Sequence, residues 1–132
     1  MGKASREKGA RGERELATIL AKHLNLEIRR NLVQYQTGGI DLTGLPWSIE
    51  VKRCETLKIN AFWQQAVAQV KDNDPPPVLA YRTSRKPWRF ILPTGVLVPH
   101  YPWSFDLDDT LNMPLKTFIY ATRLRLAARD SQ

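Results

Sequence analysis

The chain has 132 residues, enough for one compact domain but too few for two ordinary ones, so residues 1–132 are expected to form a single domain. With 20 lysines and arginines against 13 acidic residues, its formal net charge of +7 favours a polyanionic partner, nucleic acid before an anionic membrane surface. No apolar run is long enough to span a bilayer, and a lone cysteine, Cys54, excludes an internal disulfide, so a reducing, cytoplasmic location is expected.

The first predicted element is an amphipathic helix from about residue 4 to residue 24. Its apolar residues recur at spacings of three and four and form one stripe: Leu16, Ala17, Leu20 and Leu24. Glu13 lies three residues before Leu16, so a carboxylate stands at the end of the face that is expected to be buried. Such a glutamate is either a capping or ion-paired residue near the helix start, or part of a functional site.

Three strands are predicted after this helix. Residues 27–36 are extended in character, and residues 37–52 contain two further extended stretches joined by the turn formers Gly44 and Pro46, a pattern typical of a β-hairpin. Because side chains alternate along a strand, Glu50 and Lys52 share a face and lie roughly 6.5 Å apart. The hairpin is therefore predicted to bring Asp41 and Glu50 together.

A second helix is predicted from residue 61 to about residue 71, with Asn60 as its N-cap. Its stripes are apolar (Trp63, Ala66, Val67, Val70) and polar (Gln65, Gln69), and the prolines from Pro75 onward end it. Residues 78–81 and 88–92 are predicted strands, separated by a loop with three basic residues and no acid. Beyond Pro93 the pattern is weaker, with an extended stretch at 96–98, an irregular segment at 101–109 and a terminal helix at 114–128.

The acidic residues fit the chemistry of phosphodiester hydrolysis, which needs an activated water and stabilisation of developing negative charge. Mg²⁺ prefers oxygen ligands and retains several waters, so one or two carboxylates suffice to hold it. Asp41 and Glu50 are the candidates, and Lys52 is placed to activate the attacking water. Gly38 and Gly39 have no Cβ and would let a DNA backbone come close.

Four short motifs carry a family resemblance. In order along the chain they are Lys8-Gly9-Ala10-Arg11-Gly12-Glu13-Arg14-Glu15-Leu16, Gly39-Ile40-Asp41, and Ile49-Glu50-Val51-Lys52 followed by Gln65-Ala66. The pattern resembles the archaeal-type Holliday junction resolvases of the PD-(D/E)XK nuclease superfamily. It covers about residues 9–93 and leaves 94–132 as a C-terminal extension of open role. The sequence departs from the motif at Ile40, where the superfamily pattern has proline.

The resemblance implies an α/β fold with a restriction-endonuclease-like αβββαβ core, in which helices flank a mixed central sheet. It implies that Asp41, Glu50 and the carbonyl of Val51 bind Mg²⁺ or Mn²⁺. Lys52 would be the catalytic lysine, Glu13 the helix carboxylate and Gln65 a catalytic glutamine on the second helix. It also implies a homodimer that nicks two opposed strands of a four-way DNA junction.

Contacts to DNA are expected from basic residues around the predicted cleft and from the glycine-rich turn. These residues are Lys8, Arg11, Arg14, Arg29, Arg30, Arg53 and Lys58, with Thr37 and Gly38 of the turn. The basic residues near the N-terminus can equally form a solvated arm. Tyr35 and Trp63 are candidates for stacking on bases, although core packing is the preferred interpretation of Trp63.

Several alternatives remain open at this point. The same nuclease site would serve on a flap, a nick, a mismatch or a duplex site, and a non-catalytic nucleic-acid-binding module would use the acidic residues structurally. The Gly9-to-Gly12 spacing also fits the loop of a KH domain, but that motif is short and the strand order disagrees. His23 and His100 are far apart and no cysteine pair exists, so ligand spacing does not support a zinc site. Cys54 is expected to be a small packing residue.

Overall fold

The computed structural model describes residues 3–32 and 40–130, with side chains from residue 7 onward. Two short 3₁₀ turns, Thr94–Val96 and Leu107–Asp109, accompany the regular elements. Within the residues described, the helices are α1 (Lys3–Leu24), α2 (Ile59–Ala68) and α3 (Leu115–Asp130). The strands are β1 (Arg29–Arg30), β2 (Leu42–Thr43), β3 (Ser48–Cys54), β4 (Pro77–Thr83), β5 (Arg89–Pro93) and β6 (Thr110–Pro114).

A four-stranded mixed sheet with the order β3-β4-β5-β6 forms the centre of the fold. Strands β3 and β4 are parallel and joined through α2, whereas β4, β5 and β6 are antiparallel. The short strands β1 and β2 pair separately and stand beside the free edge of β3. Asp41 connects the two sheets because its N–H donates to the carbonyl of Ile49, at 2.9 Å. The predicted hairpin is therefore not formed as a paired ladder: β2 pairs with β1 and β3 pairs with β4, and the bond from Asp41 to Ile49 joins the two stretches.

Helices cover both faces of the central sheet. On one face, α1 and α3 pack on the larger apolar cluster, which includes Ile49 and Val51 of β3 and a stacked pair, Phe90 and Phe118, whose ring centroids lie 4.1 Å apart. On the other face, Trp63 and Ala66 of α2 form a second cluster with the alternate residues of β4. Burial on both faces explains why β4 has a continuous apolar run. The predicted α/β class, with a mixed sheet flanked by helices, is confirmed.

The predicted bounds of α2 are wrong by a few residues. The helix begins at Ile59, and Lys58 occupies the N-cap without a side-chain capping bond in the described chain, so Asn60 is not the cap. Ile59 packs against the second apolar cluster, which favours its inclusion in the helix. After Ala68 the chain forms a turn in which the Asp74 carboxylate accepts a hydrogen bond from the Lys71 N–H, at 2.8 Å. The helix therefore ends before the prolines are reached.

The segment after Pro93 contributes to the same sheet and core. Residues 96–98 were predicted to be extended, but the chain forms a 3₁₀ turn at Thr94–Val96, and β6 then pairs with β5 along its whole length. Helix α3 confirms the predicted terminal helix, and Thr122 on it accepts a hydrogen bond from the Trp47 indole, at 3.0 Å. Residues 94–130 thus complete the core that residues 9–93 begin.

Part of the predicted first strand lies outside the described residues. Only Arg29–Arg30 is paired as a strand, and the positions from Val33 to Gly39, with Tyr35, Thr37 and Gly38 among them, are not described. In the part of the chain that is described, no helix combines the length and apolarity needed to cross a membrane.

Candidate active site

Glu50 and Lys52 lie side by side on β3, on the face that α2 covers. Glu50 is buried, and the Lys52 ammonium lies 3.6 Å from its Oε1 atom. The ammonium also lies 5.2 Å from the ring centroid of Phe62 on α2, a cation–π contact that limits the conformations available to the lysine side chain. The shared face predicted from alternation is confirmed, and the lysine remains accessible at the edge of the site, with 25% of its side chain exposed.

Asp41 is held at the edge of β3 by four hydrogen bonds of its own segment. Its Oδ2 accepts from the Val51 N–H at 2.7 Å, and its backbone N–H donates to Ile49. Its carbonyl accepts from the Asn31 N–H at 2.8 Å, and the Asn31 side chain donates to the carbonyl of Ile40, at 2.9 Å. These bonds fix a buried carboxylate beside Glu50, as the hairpin pattern predicted.

Glu13 reaches the same region from α1. The carboxylate is buried, and its Oε1 accepts a hydrogen bond from the Arg30 Nε at 2.9 Å. Gly12, just before it, permits the close approach of α1 to β3, since a Cβ at that position would lie 2.9 Å from the Cβ of Arg53. The ion pair that one interpretation of Glu13 expected is therefore present, and the carboxylate also lies close enough to Asp41 for their charges to interact.

The carboxylates repel one another in a poorly solvated place. Burial, and next the charge of Glu50, raise the pKa of Asp41 to about 8, while the hydrogen bond from Val51 and the charge of Lys52 oppose that rise. Burial also raises the pKa of Glu50, against the lowering effect of Lys52. The charge of Glu13 acts upward on both groups. Without a cation, this cluster favours holding protons over holding full negative charge.

The donor set fits a hard divalent cation. Asp41 and Glu50 offer carboxylate oxygens. The Val51 N–H donates to Asp41, and because the N–H and C=O of one strand residue face the same edge, the Val51 carbonyl is directed toward that edge as well. Two carboxylates, a carbonyl and waters match the oxygen coordination that Mg²⁺ prefers. Across residues 3–32 and 40–130, no three His, Cys, Asp or Glu side chains converge closely enough to hold a metal by themselves, so Glu13 does not complete a three-carboxylate site.

Three of the predicted DNA-binding arginines lie along one groove, of about 420 Å³, between α1 and β1. Arg14, Arg29 and Arg30 line it, with Ile28 and the exposed Leu32 as apolar neighbours. Arg29 also pairs with Glu27, and Arg30 is engaged by Glu13. We name this feature the arginine groove.

The remaining predicted residues are spread around the site. Arg11 is exposed on α1, Lys58 is exposed at the start of α2, and Lys8 forms an ion pair with Glu55. Arg53 packs against Gly12. Gln65 is exposed on α2, one turn after Phe62, and is not buried with the carboxylates. Thr37 and Gly38 fall outside the described residues.

Two contributors were not anticipated in their observed roles. Phe62 restrains Lys52, although the sequence indicated only the neighbouring Trp63 as an aromatic of the site on α2. Trp63 is buried in the core, which is the interpretation preferred from the sequence. Asn31 bonds the segment that carries Asp41. Phe62 lies three residues before Gln65 and four before Ala66, a helical spacing that was available as a signal for its position beside the site.

A mixed sheet with two buried carboxylates and a lysine at one edge is the arrangement expected of PD-(D/E)XK nucleases. Comparison with protein families confirms this class: the chain belongs to the family described as "Phage putative PDDEXK endonuclease", whose model matches residues 4–120. The chain is therefore a nuclease. The match extends past residue 93 and takes in β6, so the family shares part of the segment that the sequence motifs left out.

One solved structure is similar over most of its length. It is Hjc, a Holliday junction resolvase from the archaeal hyperthermophile Archaeoglobus fulgidus, with 20% sequence identity, 89% of this chain and 88% of that chain covered, and a TM-score of 0.48. A similarity this distant assigns no substrate to the chain. No curated protein matches it.

Proposed function

We propose that this nuclease is a metal-dependent, structure-selective DNA endonuclease that resolves four-way junctions by paired nicks. The observation that carries the proposal is the convergence of Asp41 and Glu50, both buried, beside the ammonium of Lys52 at the free edge of β3. The order and spacing of the motifs around these residues, which resemble junction resolvases, support the choice of substrate.

In this proposal Asp41, Glu50 and the carbonyl of Val51 hold Mg²⁺ or Mn²⁺. When bound, the ion would help to activate a water and would neutralise charge at the scissile phosphate. Lys52, steadied by Phe62, hydrogen-bonds the attacking water and opposes the phosphate charge. Glu13 fixes Arg30 at the border of the site, and Gln65 meets the substrate from the exposed side of α2.

Selectivity is proposed to come from shape and from the placement of phosphates. The arginine groove and the excess of positive charge bind DNA backbone, which carries no base information. The described part of the chain forms one such site, so cutting two opposed strands requires two copies related by a twofold axis, which matches the symmetry of a four-way junction. A homodimer is therefore part of the proposal.

A cleavage assay tests this directly. A four-way junction, a flap, a nicked duplex and a plain duplex of matched length and sequence are incubated with the protein and Mg²⁺, and the expected result is preferential paired nicking of the junction. Asp41→Asn serves as the inactive control. Cleavage of the flap, the nicked duplex or the plain duplex at the junction's rate would overturn the junction assignment while leaving the nuclease class intact.

A further inference from the structure

The loop between β4 and β5 forms a compact basic projection. We name residues 82–87, the end of β4 and the turn that follows it, the basic hairpin loop; these residues include Arg82, Arg85 and Lys86 and no acidic residue. Positions 84–87 are exposed, and the Lys86 N–H donates to the carbonyl of Thr83 at 3.1 Å, which closes the turn. The loop thus presents positive charge on a defined turn.

This loop stands next to the end of β3 that carries Lys52. Arg53 is paired in register with Arg82, and Cys54 with Thr83. The Ser84 hydroxyl then donates to the Glu55 carboxylate at 2.7 Å. Glu55 lies three positions after Lys52, a span of about 10 Å along an extended chain. A DNA strand carries one phosphate per about 3.4 Å, so the loop stands about three phosphates from the lysine.

Helix α1 holds the loop in place through Glu15. Its carboxylate accepts a hydrogen bond from the Trp88 indole at 3.0 Å and forms an ion pair with Arg82. The Arg82 Nε donates in turn to the carbonyl of Lys86, at 2.9 Å. Arg82 is therefore engaged in tying the loop to α1. A loop fixed in this way loses little conformational freedom when it meets a ligand.

The side chains of Arg85 and Lys86 are exposed and available to bind a negatively charged ligand. Within residues 3–32 and 40–130, neither side chain has an ion-pair partner, whereas the neighbouring Arg82 and Lys8 are both paired with glutamates. The arginine groove lies beside β1, which pairs with β2, and β2 stands beside the free edge of β3, whereas this loop follows β4 on the other side of β3. DNA bound in the groove and crossing the carboxylates would continue toward the loop.

We infer that Arg85 and Lys86 bind backbone phosphates of the substrate DNA, about three nucleotides from the scissile position. They form a second phosphate-binding site, on the opposite side of the carboxylates from the arginine groove. The inference rests on the proposed function only in taking DNA as the substrate that crosses the site. Glu15 acts as a positioning residue, because it touches the loop and not the DNA.

The test is the salt dependence of DNA binding by an R85Q/K86Q double variant. Glutamine removes each charge and keeps a comparable length, and it tolerates the positive φ of Arg85, 65°, about as well as arginine does. The matched control is K22Q/K116Q, which removes two exposed charges: Lys22 lies about 13 Å along α1 from Glu13, and Lys116 of α3 lines a cleft together with His23 at the end of α1. Binding of duplex and of four-way junction is measured by fluorescence anisotropy without divalent metal.

Two phosphate contacts contribute a slope of about 1.8 in log affinity against log salt. Between 50 and 200 mM salt the wild type should therefore lose about twelvefold more affinity than R85Q/K86Q, while K22Q/K116Q follows the wild type. Glu15→Gln keeps the charges of Arg85 and Lys86 and releases Arg82 from its ion pair, so its slope should be at least as steep as that of the wild type. Equal slopes for wild type and R85Q/K86Q overturn the inference. Equal cleavage of junction and duplex by the wild type overturns the proposed function alone.

Discussion

The raised pKa of Asp41 makes a specific prediction about stability in metal-free protein. The folded chain holds a proton on this carboxyl up to a pH of about 8, whereas the unfolded chain releases it near 3.8. Between these values the folded state binds more protons than the unfolded state, so the contribution of Asp41 to stability falls as pH rises and is lost at about pH 8. The slope is about 1.4 kcal/mol per pH unit for one such group.

Asp41→Asn is the matching perturbation. The amide oxygen can still accept the hydrogen bond from the Val51 N–H, but the side chain no longer ionises. From pH 6 to pH 8 the wild type should therefore lose roughly 2 to 3 kcal/mol of unfolding free energy relative to the variant.

Urea unfolding with EDTA, at several values across that range, measures the difference. Addition of Mg²⁺ at pH 8 should stabilise the wild type and leave D41N nearly unchanged, because only the carboxylate gains a counter-ion. Parallel stability curves for the two proteins would refute the reasoning, since they would mean that Asp41 is ionised in the folded state without any cation.

The other predictions concern activity and assembly. Glu50→Gln should reduce cleavage to background while DNA binding survives, measured by gel assay beside a binding titration; a variant that cuts at the parental rate would remove Glu50 from the site. Lys52→Ala should lose turnover more than Mn²⁺ affinity in a calorimetric titration, and equal loss of both would count against a role in positioning water. Light scattering should show a dimer, and a monomer at every concentration would exclude paired nicking by a stable dimer.

The local elements were predictable because their signals are local. The stripe in α1 and the alternation in β3 follow directly from helix and strand periodicity, and they placed Glu13, Glu50 and Lys52 on the faces where the structure has them. The pairing of Arg30 with Glu13 was not predictable, because the two residues are 17 positions apart and belong to different elements. Spacing along the chain carries no information about such a contact.

Strand β6 shows a second limit. It has a buried Met113 between exposed Asn112 and Pro114, but five residues that include asparagine and proline have weak strand propensity. An edge strand tolerates proline because one side of it needs no partner, and β6 owes its conformation to pairing with β5. The Asn60 cap was also wrong for a tertiary reason, because packing of Ile59 extends the helix backward.

The contact between Gly12 and Arg53 has a consequence for how the helix and the strand of the site are positioned relative to each other. Gly12 immediately precedes Glu13, and Arg53 immediately follows Lys52. A single contact between the Gly12 backbone and the Arg53 side chain therefore joins α1 to β3, one residue away from Glu13 and from Lys52. A methyl group added at Gly12 would clash with the Arg53 side chain, because the Cβ would lie 2.9 Å from that of Arg53. The spacing between helix and strand is therefore set by the smallest residue in the chain, and a disturbance of either segment there would be transmitted to the other.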